Sequence, residues 1–177
     1  MSRVIVMVAF CSARGLTERL ATAVAVGAVQ GKAGIRLRRM PDHSSQARVY
    51  TLPEVRESLE RMRKEYVAPS EADVIAADAL VFGVPGDCDP DFGEWSPYLD
   101  LLTRLGSEGK LLGKVALALG SEPGLSAFSQ AIAPLGLATM GSGSALKEAV
   151  PVDDVERAMA LGRRVVEVAR SLKEKTV

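Results

Sequence analysis

The sequence contains few histidine, cysteine and aromatic residues. Its 177 residues include one histidine, His43, two cysteines, Cys11 and Cys88, and 5% aromatic residues. Two cysteines are too few for a disulfide scaffold, and one imidazole cannot supply a histidine-rich metal centre. These absences argue against zinc hydrolysis and against a conventional Ser/His/Asp triad.

The chain also lacks an excess of charge and any long apolar run. Lys and Arg number 22, Asp and Glu number 22, and the net charge is therefore zero, which gives no long-range attraction for polyanions. No apolar run reaches the roughly 18 residues of a membrane span, and residues 1–10 lack the pattern of a signal peptide. We expect a cytoplasmic protein with neither a nucleic-acid nor a membrane partner.

What the sequence does contain is apolar material in a regular order. Hydrophobic residues make up 47% of the chain, and the length suits a single domain, residues 1–177. Short runs rich in Val, Ile, Leu and Ala predict strands at 3–10, 35–40, 79–84, 114–119 and 137–140. Apolar spacings of three and four predict helices at 16–30, 53–67, 92–105, 126–133 and 152–173. This alternation predicts an α/β three-layer sandwich, a parallel sheet with helices on both faces.

In such a sheet, ligands bind beyond the carboxyl ends of the strands. Three loops follow the predicted strands there: the first loop (residues 11–17), the second loop (residues 85–92) and the third loop (residues 120–126). The first loop, CSARGLT, offers hydroxyls, a glycine, an arginine and the N-terminal amides of a helix, which together suit a phosphate. The alternative is that Ser12 or Thr17 only caps the helix while Gly15 forms a tight turn. Both the Walker loop and the GxGxxG pattern are absent, so a mononucleotide phosphate fits better than a pyrophosphate.

Several segments resemble one known family. They are VIVMVAFCSARGLTERLATAVAVGA, then AADALVFGVP, then WSPYLDLL followed by LLGKVALALGS. In these the chain is similar to the flavodoxin-like NAD(P)H:quinone oxidoreductases of the WrbA type, which use FMN. Their first strand runs into Ser-x-x-Gly and a helix carrying Glu, here Ser12, Gly15 and Glu18. The resemblance covers nearly the whole chain and implies the sheet order 2-1-3-4-5, with the flavin beside strands one and three.

The resemblance also implies cofactor-binding residues in all three loops. The positions that match the loop around the FMN phosphate are Ser12, Ala13, Arg14, Gly15, Leu16 and Thr17. The positions that match the two loops beside the isoalloxazine ring are Pro85, Gly86, Asp87 and Cys88, and Ser121, Glu122, Pro123 and Gly124. No catalytic side chain is assigned, because the flavin performs the redox chemistry. The implied activity passes electrons from NAD(P)H through FMN to a quinone or similar small acceptor, in a homo-oligomer.

The loops also depart from the family pattern. Arg14 stands where an aromatic is usual, Leu16 where His or Asn is usual, and a histidine is missing near Leu135. The second loop, GDCDPDF, is acidic, and Pro123 removes one backbone donor from the third. These departures motivate two alternatives: a flavodoxin-fold protein that has lost FMN and acts as a binding or assembly module, or a one-electron flavodoxin carrier.

Three further features have a functional and a structural interpretation. Cys11 and Cys88 follow strands one and three, but no CxxC spacing is present and we assign them no catalytic role. The aspartates at 87, 89 and 91 suit a hard cation, although an acidic, turn-forming loop is the interpretation we prefer, and we predict no metal site. Phe92 and Trp95 either wall a substrate pocket or pack in the core, and periodicity favours the core for Trp95 while leaving Phe92 open. Trp95, with Tyr98, is also available for a subunit interface, which periodicity does not distinguish from the core of the domain.

Overall fold

A computed structural model describes residues 3–41, 52–88, 93, 95–140 and 152–175. The described part forms one five-stranded parallel sheet in the order β2-β1-β3-β4-β5. Its strands are β1 (Ile5–Phe10), β2 (Gly34–Arg39), β3 (Ala79–Val84), β4 (Val115–Gly120) and β5 (Ala138–Thr139). The predicted parallel sheet and its order are both confirmed.

Helices connect the strands and cover both faces of the sheet. They are α1 (Leu16–Gln30), α2 (Pro53–Glu65), α3 (Glu71–Ala76), α4 (Trp95–Ser107), α5 (Gly124–Ile132) and α6 (Val152–Lys175). All the predicted helices are present, with ends shifted by a few residues. None of the helices in the described part of the chain is both long enough and apolar enough to cross a membrane.

Helix α3 is an element that the periodicity did not predict. Its six residues are too few to show a helical repeat, and a local signal marks it instead. Ser70 accepts a hydrogen bond from the Asp73 amide at 3.2 Å, while the Asp73 carboxylate accepts one from the Ser70 amide at 3.0 Å. This reciprocal pair is a capping box, which fixes the start of a helix that is otherwise too short to be stable.

The sheet separates two apolar cores. On one side α1, α2 and α6 pack on β1, β3 and β4. On the other side α3, α4 and α5 pack on the opposite faces of the same strands. The three central strands are buried almost throughout, which is why their sequences are continuous apolar runs with no alternation.

Trp95 and Tyr98 belong to the second of these cores. Their exposed fractions are 2% and 5%, and Trp95 packs against Phe128 with ring centroids 4.6 Å apart. Burial within the chain removes both side chains from any subunit interface. The apolar stripe of α4 therefore serves the core, and the question that the sequence left open is answered for this pair.

The edge strand β2 carries three arginines with different environments. Arg36 and Arg38 point to the side of the sheet covered by α3, where both bind the Asp73 carboxylate at 2.9 Å. Arg39, the last residue of the strand, is only 6% exposed. Arg39 is buried although it ends an edge strand, because the chain after α2 passes alongside it and Val67 O accepts its amide at 3.0 Å.

Candidate functional site

The first loop leaves β1 and turns sharply into α1. Its start is bound to the neighbouring strand, since the Cys11 amide donates to Gly83 O at 3.1 Å. Ser12 is 3% exposed, and its Oγ accepts the Gly15 amide at 3.1 Å. Gly15 has φ +85°, a conformation that favours glycine, and precedes the first helical residue. The predicted tight turn is thus present, but neither Ser12 nor Thr17 provides a side-chain cap, because the N-cap position is Gly15.

This turn places hydrogen-bond donors at the start of α1, beyond the carboxyl end of β1. Because Ser12 Oγ accepts the Gly15 amide, its own hydroxyl proton remains available to an anion. The amides of the first turn of α1 have no acceptor within the helix, and the helix dipole adds a positive potential there. The arrangement is suited to an anionic group such as a phosphate.

A carboxylate lies in the same helical turn, and its charge is balanced. Glu18 is 7% exposed, and its two carboxylate oxygens accept Arg61 Nη1 at 2.8 Å and Nη2 at 2.6 Å. The Tyr66 hydroxyl donates to the same carboxylate at 2.8 Å. Burial opposes ionisation of Glu18, but these bonds outweigh burial and hold the pKa of Glu18 below its ordinary value. Burial and the neighbouring Glu18 charge raise the pKa of Tyr66.

Arg39 supports the first loop from the edge strand. Its Nη2 donates to Ser12 O at 3.2 Å, across 27 residues of chain. Its charge also contributes to the lowered pKa of Glu18. Arg39 thus satisfies the backbone carbonyl of Ser12, the residue whose hydroxyl oxygen accepts the Gly15 amide. Arg39, Arg61 and Tyr66 thus surround the first loop, and no sequence motif pointed to them.

The second and third loops contact each other directly. The Gly124 amide of the third loop donates to Gly86 O of the second at 3.0 Å, and within the second loop the Cys88 amide donates to Pro85 O at 3.1 Å. A Cβ on Gly124 would lie 2.3 Å from Pro85 O, and a Cβ on Gly86 would lie 2.9 Å from Glu122 O. Both positions therefore require glycine for the two loops to approach this closely.

The side chains at the rim of these loops are polar. Asp87, Glu122 and Pro123 are exposed, whereas Ser121 is half-buried. Glu122 Oε2 accepts the Ser126 amide at 3.1 Å, which satisfies one N–H group in the first turn of α5. Arg14, in the first loop, is also exposed.

The structure brings all three loops to one edge of the sheet, at the carboxyl ends of three adjacent strands. The residues at 89–92, which include two of the three aspartates and Phe92, lie outside the described part of the chain. Among the described residues, no group of three His, Cys, Asp or Glu side chains is arranged to hold a metal. Cys11 is buried and Cys88 half-buried, and both are thiols.

A parallel sheet of order 2-1-3-4-5, with its candidate binding loops at the carboxyl ends of the strands, defines a flavodoxin-like α/β protein. A WrbA-like flavodoxin structure from Agrobacterium tumefaciens is 22% identical, with a TM-score of 0.65, over 95% of this chain and 98% of that one. Oxidised flavodoxin 2 from Bacillus cereus is 17% identical, with a TM-score of 0.62, over 94% of this chain and 99% of that one. At these identities the likeness shows the fold alone.

A relative with higher sequence identity identifies the family as well as the fold. An NAD(P)H dehydrogenase (quinone) from Archaeoglobus fulgidus is 31% identical over 191 aligned residues, covering 94% of this chain and 98% of that protein. No family model matches the chain. The extent and identity of the match show that the chain belongs to the NAD(P)H dehydrogenase (quinone) family of flavodoxin-like proteins.

Proposed function

We propose that the chain is an FMN-dependent oxidoreductase that passes electrons from NAD(P)H to a quinone or a similar small acceptor. The supporting relative is named for this activity, and flavodoxin structures share the fold. The observation that carries the proposal is the first loop, where a buried serine hydroxyl and the first turn of α1 present donors to one anion. FMN carries a phosphate of the kind that such a loop binds.

The residues at the phosphate end fit that group. Glu18 would repel a phosphate if its charge were exposed, but Arg61 binds both of its carboxylate oxygens and Tyr66 binds one. Arg39 adds a second positive charge close by. Arg61 also binds the exposed Glu65 carboxylate at 2.6 Å, so the charges of Glu18, Glu65, Arg61 and Arg39 sum to zero and the buried carboxylate adds no net repulsion. Ser12, Gly15 and Thr17 would hold the phosphate, and the exposed Arg14 would pair with it at the surface.

The ring end depends on the second and third loops. Gly86, Asp87 and Cys88 would flank one side of the isoalloxazine, and Ser121 to Gly124 the other. The chemistry that bound FMN would supply is to accept a hydride from the reductant and to pass the electrons on to the acceptor. The chain's part is to hold the ring between two loops that are fixed against each other by Gly86 and Gly124, so the ring is positioned by backbone. We assign no side chain a proton-transfer role.

A titration with FMN and with riboflavin, which lacks the phosphate, tests the proposal. We expect the purified chain to quench FMN fluorescence, and to bind FMN at least tenfold more tightly than riboflavin, because the phosphate contributes charge-assisted hydrogen bonds. Ser12→Ala removes one donor and lowers FMN affinity while leaving riboflavin affinity unchanged. Ser107→Ala is the matched control, since Ser107 is exposed at the far end of α4.

The outcomes separate the proposed function from its alternatives. A colourless protein that leaves FMN fluorescence unchanged contradicts the proposal and favours a flavin-free binding or assembly module. FMN binding with negligible NAD(P)H oxidation contradicts the enzymatic part and favours a one-electron carrier. We further propose a homo-oligomer, which sedimentation of a single 18.8 kDa species would contradict.

A further inference from the structure

Helix α2 is held to the domain by few buried side chains. Of its 13 residues, Val55, Leu59 and Met62 are buried, and its N-cap residue, Leu52, forms no side-chain cap. Helix α4 also has 13 residues, but it buries five of them, two of which are aromatic. Segments that bury little apolar surface open locally, without unfolding of the whole domain. We therefore expect α2 to open at a lower cost in free energy than α4.

The chain just after α2 is fixed to the sheet. The ring of Tyr66, the C-cap residue, packs edge-to-face on Phe10 of β1, with the ring centroids 5.1 Å apart. The next carbonyl, Val67 O, accepts the Arg39 amide of β2 at 3.0 Å. Tyr66 has extended backbone angles, φ −121° and ψ 148°. It is therefore the point about which α2 can move while the following chain stays in place.

Arg61 connects α2 to the first loop. It binds both carboxylate oxygens of Glu18, which is buried in the first turn of α1. If α2 opens, Glu18 loses both of these bonds and keeps the one from Tyr66. The other partner of Arg61, Glu65, is exposed on α2, so solvent screens its charge. An open α2 thus leaves the Glu18 charge beside the N-terminal amides of α1 without its guanidinium partner, where it opposes a bound anion.

We propose that α2 opens about Tyr66 as a local unit, and that a phosphate group bound in the first loop closes it. The coupling is reciprocal: closure of α2 strengthens phosphate binding by the same factor by which phosphate favours closure. The inference rests on the phosphate site of the proposed function, and it adds that this site controls a helix outside the three loops. Glu18 and Arg61 are the residues that couple the two.

Hydrogen exchange of the full chain tests the coupling. The amides of α2 and α4 are compared in the free protein and with saturating FMN, riboflavin or inorganic phosphate. In the free protein we expect α2 to exchange about tenfold faster than α4 or more. An amide that exchanges by local opening responds to a ligand only if the opening weakens ligand binding. FMN and inorganic phosphate should therefore slow α2 about tenfold, and riboflavin, which lacks the phosphate, should not.

A pair of acidic residues provides the matched variants. Glu18→Gln removes the charge that couples the two sites, so FMN and phosphate should still bind but should slow α2 less than about twofold. Glu60→Gln also removes one carboxylate, but Glu60 is exposed on α2, and this variant should keep the tenfold slowing seen in wild type.

The inference is overturned if α2 of the free chain exchanges as slowly as α4, if bound FMN or phosphate leaves α2 exchange unchanged, or if Glu18→Gln responds as wild type does. Quenching of FMN fluorescence in the same samples reports FMN binding separately. A chain that does not bind FMN, but whose α2 is slowed by inorganic phosphate, supports the inference and contradicts the proposed function. A chain that binds neither ligand contradicts both.

Discussion

Arg61 binds both carboxylate oxygens of Glu18, and the pair lies beside the turn that leads from β1 into α1. The two bonds are 2.8 and 2.6 Å long and join residues 43 positions apart. Glu18 is buried and Arg61 is 44% exposed at its side chain, so the acid is enclosed while its partner reaches in from the surface. An acid in the first turn of a helix stabilises that helix but competes with a bound anion. Arg61 therefore lets Glu18 stabilise α1 without repelling a phosphate.

Arg61→Gln should weaken FMN binding about tenfold at low salt, because it leaves the Glu18 charge uncompensated near the phosphate. Riboflavin, which carries no phosphate, should bind as before. Fluorescence titration of both flavins measures the difference. The double variant Glu18→Gln with Arg61→Gln should recover most of the loss, since the buried residue beside the phosphate is then neutral and the remaining partner of Arg61, Glu65, is exposed to solvent. An equal loss for both flavins would show that Arg61 only supports the fold.

Much of the fold was predictable because it depends on local patterns. The strands β1, β3 and β4 are covered on both faces, so each is a continuous apolar run that the sequence displays directly. The turn at Gly15 was predictable for a similar reason, since hydroxyl residues and a glycine directly follow a strand. Helix α3 was missed because six residues cannot show a period, although the spacing of Ser70 and Asp73 was a cap signal.

The surroundings of the first loop were not predictable from the sequence. Arg39 approaches Ser12 across 27 positions, and Tyr66 approaches Glu18 across 48. These contacts exist only because β2 pairs with β1 and because the chain after α2 passes along the edge of the sheet. From the sequence alone, Arg39 looks like an ordinary exposed residue at the end of an edge strand. Only the path of the chain after α2 shows that it is buried.

Tyr98→Phe should stabilise the protein, whereas Tyr66→Phe should destabilise it. The Tyr98 hydroxyl is buried and has no hydrogen-bond partner within the described part of the chain, and burial raises the pKa of Tyr98. Removing an unsatisfied buried hydroxyl should raise the free energy of unfolding by about 1 kcal/mol. Tyr66 donates to Glu18, so the same change there should cost about 1 kcal/mol. Urea melts of the two variants compare them, and equal effects would contradict the assignment of partners.

Asp73→Asn should reduce the fall in the free energy of unfolding that occurs as the pH is lowered. Hydrogen bonds from Arg38, outweighing burial, and further bonds from Ser70 and Arg36 hold the pKa of Asp73 well below its ordinary value of 3.8. The unfolded chain therefore binds this proton more tightly, and the stability that Asp73 contributes is fully present above pH 3.8 and is lost as the pH falls below it.

Urea melts from about pH 6 to about pH 2.5 measure this contribution. Wild type should lose stability more steeply than Asp73→Asn, and the variant should already be about 2 kcal/mol less stable near neutral pH. Asp100→Asn controls for the loss of an exposed carboxylate, because Asp100 lies on the outer face of α4. Parallel pH profiles for wild type and Asp73→Asn would refute this account.

Gly162→Ala should destabilise the protein by about 3 kcal/mol, because it overpacks the crossing of α1 and α6. A Cβ on Gly162 would lie 2.1 Å from Val24 O and 2.9 Å from Ala28 N, and both are backbone atoms that cannot move independently of α1. Gly34→Ala is the matched control, since a Cβ there meets its nearest atom at an ordinary 3.7 Å. Thermal melts should show a large fall in Tm for Gly162→Ala and little change for Gly34→Ala. Because α1 begins at the first loop, the same displacement should also reduce FMN affinity, and a destabilised variant with unchanged affinity would show that the crossing does not position that loop.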